Sequence, residues 1–225
     1  MFLHDKFGRA ITDLRISITD RCNYKCVYCR TGNEGALYGD LAFAEYLRMA
    51  RVLVGMGITK VRLTGGEPLL QKNSLPLMTT LCGAGFTVLL ETSGAHDIAP
   101  VDPRVRRIMD LKCPSSGEAA RNRWENLPHL KGTDEIKFVV GTFEDYEWTK
   151  KAIKDHQLAA ICPLLVSWVH PLAPEQKHKS LKAVPAGQTL ITRQQLAETI
   201  VADALPVRFQ VQLHKLLWPP EMRGV

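Results

Sequence analysis

A chain of 225 residues has the size of one large domain, and 45% hydrophobic against 23% charged residues places it among globular rather than disordered proteins. No apolar run approaches the ~20 residues that cross a bilayer, and the opening MFLHDKFGRAITD lacks the apolar stretch of a secretory signal, so membrane and secreted classes are excluded and a cytoplasmic location is expected. The net charge of +6 favours anionic partners, but lysines and arginines are dispersed rather than clustered, which argues against a nucleic-acid footprint.

Residues 10–18 and 59–63 read as strands, and residues 43–55 between them carry apolar side chains at helical spacing with a glycine stop. Residues 75–82 read as a second helix, followed by strands over 86–91, 105–111 and 135–140. A helix over 143–156 opens with Thr142 as N-cap and Asp145 in its first turn. A buried strand over 159–166, a helix over 193–204 and a strand over 207–213 complete the series, with 169–189 as a long loop. Strands and helices in this alternation predict α/β units around a parallel sheet.

Parallel α/β sheets place their chemistry in the loops beyond the carboxyl ends of the strands. The unusual residues fall there. A cysteine cluster follows the first strand, Thr64-Gly65-Gly66-Glu67-Pro68 the second, Glu91-Thr92-Ser93-Gly94 the third, and Lys112-Cys113-Pro114-Ser115-Ser116-Gly117 the fourth. Four such loops on one rim describe a single site.

The six cysteines stand at 22, 26, 29, 82, 113 and 162. Clustered cysteines in a reducing compartment bind metal or do catalysis more often than they form disulfides. Cys22, Cys26 and Cys29 supply three thiolates within eight residues, whereas a structural zinc or an ordinary electron-transfer cluster wants four ligands. Three ligands point to an iron–sulfur centre with one open iron, zinc remaining the alternative. Cys82 and Cys162 read as small apolar fillers, with Cys113 open. His96, His129, His156, His170 and His178 read as surface or structural residues, and Trp124, Trp148, Trp168 and Trp218 as core or interface aromatics.

The C-x3-C-x2-C spacing, with Tyr28 before the last cysteine, resembles the signature of the radical S-adenosylmethionine (SAM) superfamily, and Gly65-Gly66-Glu67-Pro68 resembles its second motif. The resemblance implies a partial (β/α) barrel with parallel strands, spanning 1–225 as a single domain. It also implies a [4Fe–4S] cluster on Cys22, Cys26 and Cys29, whose open iron chelates SAM, and reductive cleavage of SAM to a 5′-deoxyadenosyl radical. Tyr28, Gly65, Gly66, Glu67, Pro68, Gly94 and Lys112 then fall in SAM-contacting segments, and a reductant such as flavodoxin or ferredoxin is implied.

Two families within that superfamily divide the chain. Residues 1–70, through Leu14-Arg15-Ile16-Ser17 and Thr19-Asp20-Arg21-Cys22-Asn23, resemble the cluster-binding third of GTP 3′,8-cyclases. The remainder, 71–225, resembles 7-carboxy-7-deazaguanine synthases through Glu91-Thr92-Ser93-Gly94, Asp110-Leu111-Lys112-Cys113-Pro114, Asp134-Glu135-Ile136-Lys137-Phe138 and Gln212-Leu213-His214-Lys215. The cyclases need a second cysteine triplet in a carboxy-terminal extension, and this chain carries none, which favours the synthases. That family converts 6-carboxy-5,6,7,8-tetrahydropterin to 7-carboxy-7-deazaguanine with Mg2+. The resemblance places Thr31 on the magnesium, though an exposed loop threonine is an equal reading, and Thr92 and His214 on the substrate. A homodimer is a further expectation. The synthases' Gln-Gly-Glu-Gly motif ahead of the cysteines has no counterpart here, which leaves Arg15 or Arg21 as a carboxylate clamp or, for Arg9 and Arg15, as surface charges.

Overall fold

The structure, a computed structural model, describes residues 2–29, 41–170 and 181–218, without the side chains of His214 and Lys215. Its frame is a sheet of seven strands: β1 (Asp13–Thr19), β2 (Lys60–Gly65), β3 (Thr87–Thr92), β4 (Arg106–Leu111), β5 (Glu135–Val140), β6 (Leu164–Trp168) and β7 (Arg208–Gln210). They lie in sequence order and every neighbouring pair is parallel. Right-handed crossovers between successive parallel strands put the connecting segments on one face. The sheet therefore curves as an open, partial (β/α) barrel, with β1 and β7 as unjoined edges.

Helices α1 (Phe43–Val54), α2 (Ser74–Gly83), α3 (Phe143–Asp155), α4 (Leu158–Ile161) and α5 (Arg193–Ala202) fill crossovers, and α6 (His214–Leu217) follows β7. Their ends are chemically marked. Glu45 reaches back to the Ala42 N–H at 2.8 Å, Gly55 caps α1, and the Thr142 and Thr192 hydroxyls accept from Asp145 N and Gln195 N, both at 3.1 Å. Among the described residues the β3–β4 crossover has no helix, and the β4–β5 crossover only short 3-10 turns.

One continuous core joins the helices to the outer face of the sheet, with Val61, Leu63, Val88, Leu90, Met109, Leu111, Ile136, Phe138, Leu164 and Val166 all buried in it. The alternate residues of the same strands (Arg62, Glu91, Asp110, Glu135 and Lys137) are polar and half-buried and line cavities on the inner face. Period-two alternation thus gives a parallel sheet one oily and one charged side.

Most expected elements stand, with shifted ends. The strand expected over 159–166 is corrected: residues 158–161 turn as α4, Gln157 opens that turn with a positive φ of 50°, and Pro163 delays β6 to Leu164. Apolar Leu-Ala-Ala-Ile has no periodicity to separate a helical turn from a buried strand. The strand expected over 207–213 pairs only from Arg208 to Gln210. Trp124 stacks on His156 at 4.0 Å and lies 6.2 Å from Trp148, and the Trp168 indole donates to Ile191 O at 2.8 Å, so these rings are structural. Trp218 is partly exposed at the end of the described chain. No helix among the described residues is long and apolar enough to cross a membrane.

At the amino end of β4, Arg107 is buried against Asp134, which also accepts from Lys131. Removing the carboxylate leaves a buried guanidinium uncompensated. Asp134→Ala is expected to cost about 3–5 kcal/mol in urea unfolding at neutral pH; a loss below about 1 kcal/mol would show that Arg107 finds water instead.

Candidate functional site

The loops after β1, β2, β3 and β4 meet over a cavity of about 210 Å³. Cys22, Cys26 and Cys29 with Tyr24 and Tyr28 form one wall, Gly65 and Gly66 a second, and Thr92, Ser93 and Lys112 a third. A second cavity of about 380 Å³ on the inner face shares Glu91, Ile108 and Lys137 with it and adds Arg62, Glu135 and Arg208. No disulfide joins the six cysteines, all of which lie among the described residues.

The cysteine loop has neither helix nor strand and is held by its neighbours. Gly66 N–H donates to Thr19 O at 2.8 Å and Glu67 N–H to Arg21 O at 2.7 Å. This approach admits no side chain: a Cβ on Gly66 would lie 2.1 Å from Arg21 O, and one on Gly65, whose φ is 132°, 2.1 Å from Thr19 O. The glycine pair is therefore fixed by packing against the cysteine loop as well as by any ligand.

Glu67 is fully buried and points away from the cavity. Its carboxylate accepts from Thr92 Oγ1 at 2.9 Å, Ser93 N at 2.6 Å, Ser93 Oγ at 2.5 Å and Leu69 N at 3.0 Å. These bonds tie the second loop to the third. Pro68 is buried as the first residue of the following 3-10 turn. Gly94, with a φ of 73°, packs against Met109 and Asp110 rather than lining the cavity.

Lys112 is buried and donates to Asp110 at 2.7 Å, with its ammonium 6.0 Å from the ring centres of both Tyr24 and Tyr28. Burial works against charge on both partners, but Asp110 holds the lysine well above its ordinary value and Lys112 holds the aspartate below its own. Burial pushes the Tyr28 hydroxyl well up, and it has no hydrogen-bond partner among the described residues.

The structure thus brings together Cys22, Cys26, Cys29, Tyr28, Gly65, Gly66, Thr92 and Lys112. Thr31 and the side chain of His214 lie outside the described residues. Sequence reasoning placed Glu91 on the rim but missed Asp110 and Lys137 as lining residues; strand alternation puts them on one face, and nothing local shows that this face borders a cavity. Cys113 is fully buried beside Thr149, with its thiol pushed up by burial, and is structural. Arg15 pairs with Glu91 at 2.7 Å, whereas Arg9 pairs with Asp5 on the surface.

The donor set fits a cluster. Three soft sulfurs line one cavity, and among the described residues no three His, Cys, Asp or Glu side chains converge on a single-ion site. A cubane needs no such convergence, because each thiolate takes a different iron.

Gly66→Ala is expected to displace the cysteine loop, raising the reaction rate of Cys22 and Cys29 with a thiol reagent in the metal-free protein; an unchanged rate would mean the loop absorbs the methyl. Glu91 is held below the ordinary value of 4.5: burial opposes its charge, but bonds from Arg62, Arg15 and Thr64 outweigh it. Its stabilisation is complete at neutral pH and is lost as pH falls through the folded value. Glu91→Gln is therefore expected to flatten the acid limb of a urea-midpoint against pH curve, and an unaltered limb would sink this account.

The chain matches the Radical SAM superfamily over residues 16–156. It is 37% identical over 207 residues to 7-carboxy-7-deazaguanine synthase of Koribacter versatilis, covering 91% of this chain and 88% of the relative, so that likeness reaches beyond residues 71–225. Similarity to GTP 3′,8-cyclase of Geobacter sulfurreducens is higher but local, at 46% over 36% of this chain and 26% of the relative. Among solved structures, QueE from Escherichia coli shares the fold with a TM-score of 0.60 and 17% identity, over 88% of this chain and 84% of that one. The chain belongs to the radical SAM superfamily, with 7-carboxy-7-deazaguanine synthases among its near-full-length relatives.

Proposed function

We propose that the chain converts 6-carboxy-5,6,7,8-tetrahydropterin to 7-carboxy-7-deazaguanine, acting as one radical SAM domain over residues 1–225. The observation that carries this reading is the meeting of three cysteines and three further strand-end loops on one cavity, in a chain alike to the synthases over nine-tenths of its length. When bound, the [4Fe–4S] cluster and SAM supply a carbon-centred radical that takes a hydrogen atom from the substrate; ring contraction with loss of ammonia completes the reaction.

Cys22, Cys26 and Cys29 would hold the cluster. Tyr28, Gly65, Gly66, Glu67, Pro68, Gly94 and Lys112 serve the SAM site in different ways. Glu67 contributes through its backbone, since its carboxylate is occupied by Thr92 and Ser93. Lys112, kept cationic by Asp110, presents positive charge to the carboxylate of SAM. The Thr92 hydroxyl donates its proton to Glu67 and accepts from Gly94 N at 3.3 Å, leaving one lone pair to accept from a substrate N–H. His214 and Thr31 complete the substrate and Mg2+ sites, a threonine hydroxyl and substrate oxygens being suitable donors for a hard cation. A flavodoxin or ferredoxin supplies the electron.

Anaerobically reconstituted protein given SAM, Mg2+ and reductant is expected to form 5′-deoxyadenosine and 7-carboxy-7-deazaguanine from the pterin, identified by mass. Consumption of GTP but not the pterin would replace this reading by the cyclase one. Cys26→Ala is expected to abolish SAM cleavage, and full turnover in that variant would refute the cluster assignment.

A further inference from the structure

The cysteine loop is gripped on its other flank by a segment that the motifs do not mark. Glu118, in the β4–β5 crossover, is buried at 1% side-chain exposure. Its carboxylate accepts from the Lys25 backbone N–H at 2.7 Å, from the Lys182 ammonium at 3.1 Å and from the Arg121 guanidinium at 3.2 Å. The same cations also bind backbone: Arg121 donates to Asn23 O at 2.6 Å, and Lys182 Nζ to Gly117 O at 2.6 Å. Lys182 N–H donates to Lys25 O at 3.2 Å, and Val27 N–H to Ser116 O at 3.3 Å. The Tyr24 hydroxyl donates to Arg121 O at 2.8 Å, beneath the guanidinium, which lies 4.8 Å from its ring.

Four backbone groups between Asn23 and Val27 are therefore satisfied by residues 116–121 and by Lys182. This gripping segment is itself anchored. Gly117 sits at a φ of 73°, where a Cβ would come within 2.7 Å of the Lys182 stem. Ser115 donates through its N–H at 2.7 Å and its hydroxyl at 2.5 Å to Asp145, a fully buried carboxylate in the first turn of α3. Asp145 and Glu118 form two buried carboxylates in series, from helix to crossover to cysteine loop.

We propose that Glu118 is a positioning residue for the cluster: with Lys182 and Arg121 it sets the backbone of residues 23–27 so that the sulfurs on either side of Lys25 face the cavity. Glu118 touches neither the cavity nor any sulfur, and it acts through the Lys25 N–H. The inference rests on the reading of Cys22, Cys26 and Cys29 as cluster ligands. Groups that orient metal ligands from behind typically matter about 10–100-fold in metal retention.

The test uses the full chain, reconstituted anaerobically with iron and sulfide alone. Glu118→Ala is expected to keep the far-UV circular dichroism of the parent, with a lower melting midpoint because the Lys25 N–H loses its acceptor, and to lose iron to a chelator about 10-fold faster or more, with an altered electron paramagnetic resonance signal from the reduced cluster. Glu118→Gln is expected to recover much of the retention, since its amide oxygen still accepts from Lys25. Lys182→Met is expected to fall between. Parental chelator kinetics and resonance signal in Glu118→Ala would overturn the proposal, as would a Glu118→Gln variant no better than alanine. If Glu118→Ala fails to fold, Glu118→Gln and Lys182→Met decide: parental retention in both overturns it. Failure of the parent protein itself to assemble a four-iron cluster would instead overturn the cluster reading.

Discussion

A loop without secondary structure must find partners for its backbone elsewhere, and residues 21–29 meet that requirement at the expense of their neighbours' sequence freedom. On one flank the loop after β2 approaches so closely that only hydrogen atoms fit at Gly65 and Gly66. On the other flank the β4–β5 crossover supplies a carboxylate, carbonyls and a guanidinium. The cavity is what remains between these supports. Its walls are four separate loops, so its shape depends on the register of β1 to β4, where Ser17 lies beside Thr64, Leu63 beside Leu90, and Glu91 beside Ile108.

The inner face follows from the same frame. A parallel sheet covered on both sides reads as continuous apolar runs, but here only one side is covered by helices. The open side carries Arg62, Glu91, Asp110, Glu135 and Lys137, and pairing among them limits the cost of partial burial. Glu91 serves Arg15 and Arg62 together, and Asp110 serves Lys112. Glu135 and Lys137 line the second cavity, and Lys137 lies near enough to help hold Asp110 below its ordinary value.

Much of this was legible in the sequence, for identifiable reasons. Strong local patterns carried the elements: the EIKFVV alternation gives β5 without error, and Thr142 with Asp145 marks the start of α3. Residues 158–161 misled because four apolar residues have no period, and the strand after Leu205 pairs with β6 only from Arg208 to Gln210. The cysteine triplet and the Gly-Gly-Glu-Pro loop were readable from spacing, since a cluster and a close backbone contact both constrain neighbouring residues. Lys137 and Glu118 were not. Nothing local distinguishes a lysine facing a cavity from one facing solvent, and Glu118 matters only because Lys25, 93 residues away, lies beside it.

Glu67 shows how the backbone and the side chain of one motif residue can serve different ends. In sequence it stands between Gly66 and Pro68, in a motif whose resemblance implies a backbone contact. In the fold, that carboxylate is turned inward and saturated by Leu69, Thr92 and Ser93. A neutral amide would offer one acceptor oxygen where two are used, and would aim an NH2 group at donors. The glutamate is thus required by the joint between the second and third loops, while Gly66 before it lines the cavity and Pro68 after it is buried in the following turn.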